Sequence, residues 1–128
     1  MALVDVLLTA GVHSQARHVA FAAPDVSTLA RPAQPYGGSI GIEKALAGEV
    51  LLAWSMNGQP LPAVHGAPVR VVVSGYIGAR SVKWVQQITV QREPSANYFQ
   101  TSAYGCCRPM PIPPPSHRGT GCPWERSP

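Results

Sequence analysis

Residues 50–84, VLLAWSMNGQPLPAVHGAPVRVVVSGYIGARSVKW, decide the fold. Val50 to Met56 reads as a buried strand and Asn57-Gly58 as a tight turn. Val69 to Val73 is a β-branched run and the clearest strand signal in the chain. Gly75 to Lys83 forms a Gly-containing loop, and Trp84 to Gln91 returns to strand character. Side chains alternate along a strand, so Trp84, Ile88 and Val90 are expected on one face. Upstream, residues 2–10 place Leu3, Val6 and Leu7 at helical spacing, with Gly11 as the stop. His18 to Phe21 reads as a strand. Residues 22–38 read as a long loop ending in the Gly-rich turn YGGS, and long loops in compact domains are more often functional than incidental. Residues 42–47 favour one or two helical turns before Gly48. The expectation is an α+β, strand-dominated domain.

The chain has 128 residues, enough for one small domain. Hydrophobic residues make up 45% and charged residues 12%, apolar enough to bury a core. Its longest apolar run, Val50 to Trp54, is far too short to cross a bilayer. No basic residue precedes the apolar stretch near the N-terminus and Asp5 interrupts it, so no signal peptide is read there. This tilts the expectation toward the cytoplasm without setting a compartment. The net charge of +4 points weakly to an anionic partner, and no nucleic-acid partner is expected from it.

Polar groups concentrate in two segments. His65-Gly66-Ala67-Pro68-Val69-Arg70 leads into one strand. Gly78-Ala79-Arg80-Ser81-Val82-Lys83-Trp84 leads into the next. Arg70 is the only charge in a run that otherwise wants burial, and a charge there needs an anionic partner. Arg80, Ser81 and Lys83 follow a Gly-bearing loop whose backbone N–H groups can also point at an anion. His65, Arg70, Ser81 and Lys83 form a donor set for a phosphate or similar oxyanion. On spacing alone an equal alternative is structural: Arg70 pairs with Asp5, Asp25, Glu43 or Glu49, while Arg80 and Lys83 are solvated.

The stretch from Val50 to Trp84, with YGGSIGIEKAL upstream, resembles the molybdopterin domain of sulfite oxidases and plant-type nitrate reductases. The family pattern runs LLAYEMNG, LPxxHGFPxR, VVPG, GARSVKW, and the resemblance covers roughly residues 2–104. Departures are modest: Ala67 stands where Phe is usual, Ser74 and Gly41 replace Pro, and Trp54-Ser55 replaces Tyr-Glu. The resemblance implies a partial sulfite-oxidase-type domain binding a molybdenum–molybdopterin cofactor and acting by oxygen-atom transfer to a small oxyanion such as sulfite. Carried over position by position, it implies that Asp25, His65, Arg70, Ser81, Val82 and Lys83 contact the cofactor. It also implies that Tyr104 lies beside the substrate as the catalytic residue. No residue here is assigned as a metal ligand, because the family's metal-ligating Cys lies before the stretch resembling residues 2–12. On this reading an N-terminal half of the domain is missing, and the chain is a truncated form with weak or no activity alone.

At Gly105 the character changes. Residues 105–128 hold half of the prolines and all three cysteines, without apolar periodicity. They are expected to be an unstructured tail beyond a domain ending at Tyr104. Cys106, Cys107 and Cys122 read as free thiols rather than metal ligands. A competing reading makes the chain a non-enzymatic anion-binding or interaction fragment using the same basic loops and the Pro-rich tail.

Overall fold

The computed structural model describes residues 1–104, so the expectations for the tail fall outside the described residues. Strands dominate, with few and short helices. Helix α1 spans Leu3–Ala10 and buries Leu3 and Leu7, four residues apart and so on one face. It ends at Gly11, whose N–H donates to Leu7 O at 3.0 Å. Strand β1 is His18–Ser27 and β2 is Gln34–Gly41. Helix α2, Ile42–Leu46, leads to β3, Val50–Ala53. A two-residue hairpin follows, β4 Ser55–Met56 and β5 Gln59–Pro60, closed by Asn57 and Gly58 at φ 53° and 75°. Both turn residues have the positive φ that makes Asn-Gly the preferred tight hairpin turn. Strand β6 is Arg70–Val73 and β7 is Gln87–Gln91.

Two antiparallel sheets share one core. The first has the order β2-β1-β7, and the second pairs β3 with β6. In the second sheet Val50 lies opposite Val73 and Leu52 opposite Val71, and all four are buried. The alternating positions Leu51 and Arg70 face away from this core. Strand β1 follows the same two-residue period, with Val19, Phe21 and Ala23 buried. Leu3 and Leu7 of α1 join both sets in one cluster with Ile40, Ala45 and Val82. Leu3 is completely buried. Leu3→Ala is therefore expected to lower unfolding free energy by about 2–5 kcal/mol in a urea titration, the usual loss for a buried Leu.

Two expectations are corrected. Residues 22–38 are not one long loop: β1 continues to Ser27 and β2 begins at Gln34. Their Pro and Gly content hides a ladder that tertiary packing imposes. Gly37 in β2 crosses so near β1 that a Cβ there would sit 2.8 Å from Phe21 O. Pro24 lies where the β1–β2 register shifts between Ala22 and Val26, so its missing N–H breaks no regular pairing. Trp84, moreover, does not share a strand face with Ile88 and Val90. It precedes β7, has φ +50°, and turns its indole toward residue 63. Among the described residues, no helix is long and apolar enough to cross a membrane.

Candidate functional site

The site is assembled from loops that the two sheets hold at one end. Residues 63–65 form a single 3-10 turn ending at Gly66, which has φ +108°. Three side chains cap the carbonyls of this turn. Trp84 Nε1 donates to Ala63 O at 2.9 Å, Lys83 Nζ to Val64 O at 2.7 Å, and Arg70 Nη1 to His65 O at 3.1 Å. Gly66 permits this closeness: a Cβ there would lie 2.8 Å from Lys83 Cβ and 3.0 Å from Lys83 Cα. Gly66→Ala is expected to destabilise the fold by about 1–3 kcal/mol, combining left-handed strain with overpacking, as read by urea unfolding.

The segment carrying Ser81 to Val85 runs beside β6. Val71 N–H donates to Val82 O and Val85 N–H to Val69 O, both at 2.9 Å. Val82 is 1% exposed. Its side chain is core, so any cofactor contact it makes must come from its backbone. Ser81 uses its hydroxyl to accept from Val73 N–H at 3.0 Å and its carbonyl to accept from Arg70 Nη2 at 3.2 Å. Arg70 thus holds two neutral carbonyls and no carboxylate. Its Nε is buried without a hydrogen-bond partner. The pairing with Asp5, Asp25, Glu43 or Glu49 does not form: among the described residues the ion pair is Lys44 with Glu49.

Asp25, Tyr36, Gly78, Ser81, Lys83 and Trp84 line a cavity of about 170 Å³. Three residues expected at a cofactor, Asp25, Ser81 and Lys83, therefore meet at one cavity from separate segments of the chain. His65 lies on the adjoining 63–65 turn with its side chain exposed, and Arg70 reaches the same assembly through Ser81. Tyr36, Gly78 and Trp84 line the cavity as well: Tyr36 belongs to YGGS, whose sequence signals only a turn, and Trp84 carries strand propensity rather than a site signal.

Tyr36 links the cavity to Tyr104. Its hydroxyl donates to Ala79 O at 2.8 Å, and its ring lies 4.6 Å from that of Phe99. Burial pushes the Tyr36 phenol above its ordinary range. The charges of Tyr104 and Asp25 add to that rise, and the Arg80 guanidinium opposes it. Phe99–Ala103 forms a π-type turn that ends at Tyr104, whose side chain is exposed. A polar clasp docks this turn on β2. Gln100 receives Ser39 N–H and donates from Nε2 to Ser39 Oγ at 2.9 Å, while Asn97 Nδ2 donates to Pro35 O at 2.9 Å. Among the described residues no cluster of His, Cys, Asp and Glu is arranged to hold a metal ion.

Residues 1–99 match the family model described as the oxidoreductase molybdopterin binding domain. The chain belongs to that family. Within it, this domain is of the sulfite oxidase type. It is 44% identical to mitochondrial sulfite oxidase of Rattus norvegicus, over 80% of this chain and 19% of that protein. Against sulfite oxidase of Arabidopsis thaliana the identity is 46%, over 76% of this chain and 25% of that one. Nitrate reductase [NADPH] of Fusarium oxysporum is 41% identical over 77% of this chain and 11% of its own length. Among solved structures, the sulfane dehydrogenase SoxCD from Paracoccus pantotrophus superposes with a TM-score of 0.69 at 29% identity, covering 80% of this chain and 24% of that one. The chain therefore spans a quarter or less of the length of these relatives.

The donor chemistry of this molybdopterin domain fits a phosphorylated pterin. Arg70 and Lys83 supply charge, Ser81 and the backbone of 81–83 supply neutral groups, and Asp25 can accept from a ring N–H. The orphaned Nε of Arg70 is the donor that most needs an acceptor.

Proposed function

We propose that this chain is the cofactor-holding part of an oxidoreductase that oxidises a small oxyanion such as sulfite. The observation that carries the reading is the convergence of Asp25, Ser81 and Lys83 on one cavity. Beside it stand Arg70, bound only to carbonyls, and the exposed His65. In this reading Arg70 and Lys83 leave or share their present carbonyl partners to neutralise the cofactor phosphate. Both long side chains already lie at the turn, so only their tips must move. Ser81 and the backbone of Val82 orient the same group, while Asp25 and His65 hydrogen-bond the pterin edge.

The cofactor, when bound, supplies the two-electron redox chemistry that no side chain here can perform. The protein's part is to bind, orient and neutralise. Tyr104, at the exposed end of the π-type turn, is the substrate-side group: its phenol can donate to an oxyanion. The test is coexpression of the 128-residue chain with a pterin-cofactor pathway, followed by pterin and molybdenum analysis of the purified protein. Pterin retained in near-stoichiometric amount supports the reading. A chain that retains phosphate or sulfate but no pterin favours a simple anion-binding module instead.

A further inference from the structure

Trp84 lines the cavity yet has no part in the binding scheme above. Among the described residues, two that are not glycine have positive φ, Asn57 and Trp84. Asn57 sits in a tight hairpin turn that favours it. Trp84, at φ +50°, has no such turn, and a bulky residue enters this region only where its surroundings hold it there. What holds it is the 63–65 turn. Its backbone N–H donates to Gly66 O at 3.3 Å and its indole Nε1–H to Ala63 O at 2.9 Å. One residue thus grips the first residue of the turn and the glycine that ends it. The other two caps are cations, Lys83 on Val64 O and Arg70 on His65 O. A phosphate competes for these charges, since a charge-assisted bond to it is stronger than one to a neutral carbonyl. The indole N–H is neutral, and a phosphate offers it far less. Its grip is therefore the one that survives when both cations turn to an anion.

We propose that Trp84 is a positioning residue: it holds the 63–65 turn, and with it His65, in place beside the cavity while Lys83 and Arg70 are engaged by a phosphorylated ligand. The inference rests on the cofactor-holding function proposed above and adds to it the residue that keeps the His65 turn fixed. Trp84 acts through His65 and needs no contact of its own with the ligand.

The test is an NMR titration of the full 128-residue chain with a phosphorylated pterin and, in parallel, with inorganic phosphate. The chain has three Trp residues, and Trp84→Phe identifies the Trp84 indole resonance by its loss. On saturation that indole proton should stay as slow to exchange with solvent as in the free chain. The folded Trp84→Phe chain should bind the pterin about five- to ten-fold more weakly, the size of one neutral hydrogen bond. In a His65→Ala background the same substitution should cost little further, because its effect runs through His65. A general loosening of the fold would cost as much there as in the wild type. An indole proton that exchanges freely in the bound state overturns the proposal. So does a folded Trp84→Phe chain with wild-type affinity, or a full further loss in the His65→Ala background. Where Trp84→Phe does not fold, the indole proton of the wild-type chain decides alone. The pterin reading fails separately, when the wild-type chain binds phosphate but no pterin; the indole proton of the phosphate-bound chain then decides the role of Trp84. A chain that binds neither overturns both.

Discussion

Tyr104→Phe should lower turnover by about 10²–10³ while leaving cofactor content unchanged, as removal of a single donor to developing charge typically does. The expectation applies where residues 1–104 replace the matching stretch of a relative such as the rat sulfite oxidase, which supplies the rest of a working enzyme. Tyr104 is 38% exposed and ends a π-type turn. Such turns occur often at functional sites. The clasp of Ser39, Gln100 and Asn97 fixes the turn to β2, and the Tyr36 ring of that strand packs 4.6 Å from Phe99 of the turn. A phenol placed this way is positioned without being packed. Phe keeps the ring, so folding and pterin loading should survive. Unchanged turnover would return Tyr104 to a surface role, and lost pterin would make it a support of the pocket.

The second large effect concerns Arg70→Met and Lys83→Met. Each should reduce pterin retention by roughly ten- to a hundred-fold, because each removes a charge-assisted contact of about 1.5–3 kcal/mol. Arg70 should lose more. Its Nε is buried and unpartnered, whereas Lys83 has a carbonyl on the 63–65 turn and the Trp84 ring 5.6 Å from Nζ. Pterin content measured on purified variants checks the order. Full retention in both variants would exclude the phosphate clamp and leave these cations as caps for the 63–65 turn.

The parts of the fold readable from sequence were those where local pattern and burial agree. Leu3 and Leu7 at helical spacing, the β-branched run ending at Val73, and Asn57-Gly58 each carry their own physics. Residues 22–38 did not, because Gly37 and Gly38 are poor strand formers that persist only where Phe21 and Arg80 crowd them. Trp84 misled for the opposite reason. Its β-propensity is high, but its positive φ and its bond to Ala63 O belong to the site. In the site itself, Arg70, Ser81 and Lys83 stood out as polar groups in apolar surroundings. Asp25 and Tyr104 had no local signal and entered only through family resemblance. Tyr36 carried no signal beyond its turn, because it lines the cavity only through what β2 brings against residues 78–80.

The most direct measurement is a backbone amide NMR titration of the 128-residue chain with a phosphorylated pterin. The account predicts shifts concentrated at Asp25, Gly66, Ser81, Val82 and Lys83, with α1 undisturbed. No shift at these amides, or shifts centred on α1, would contradict it.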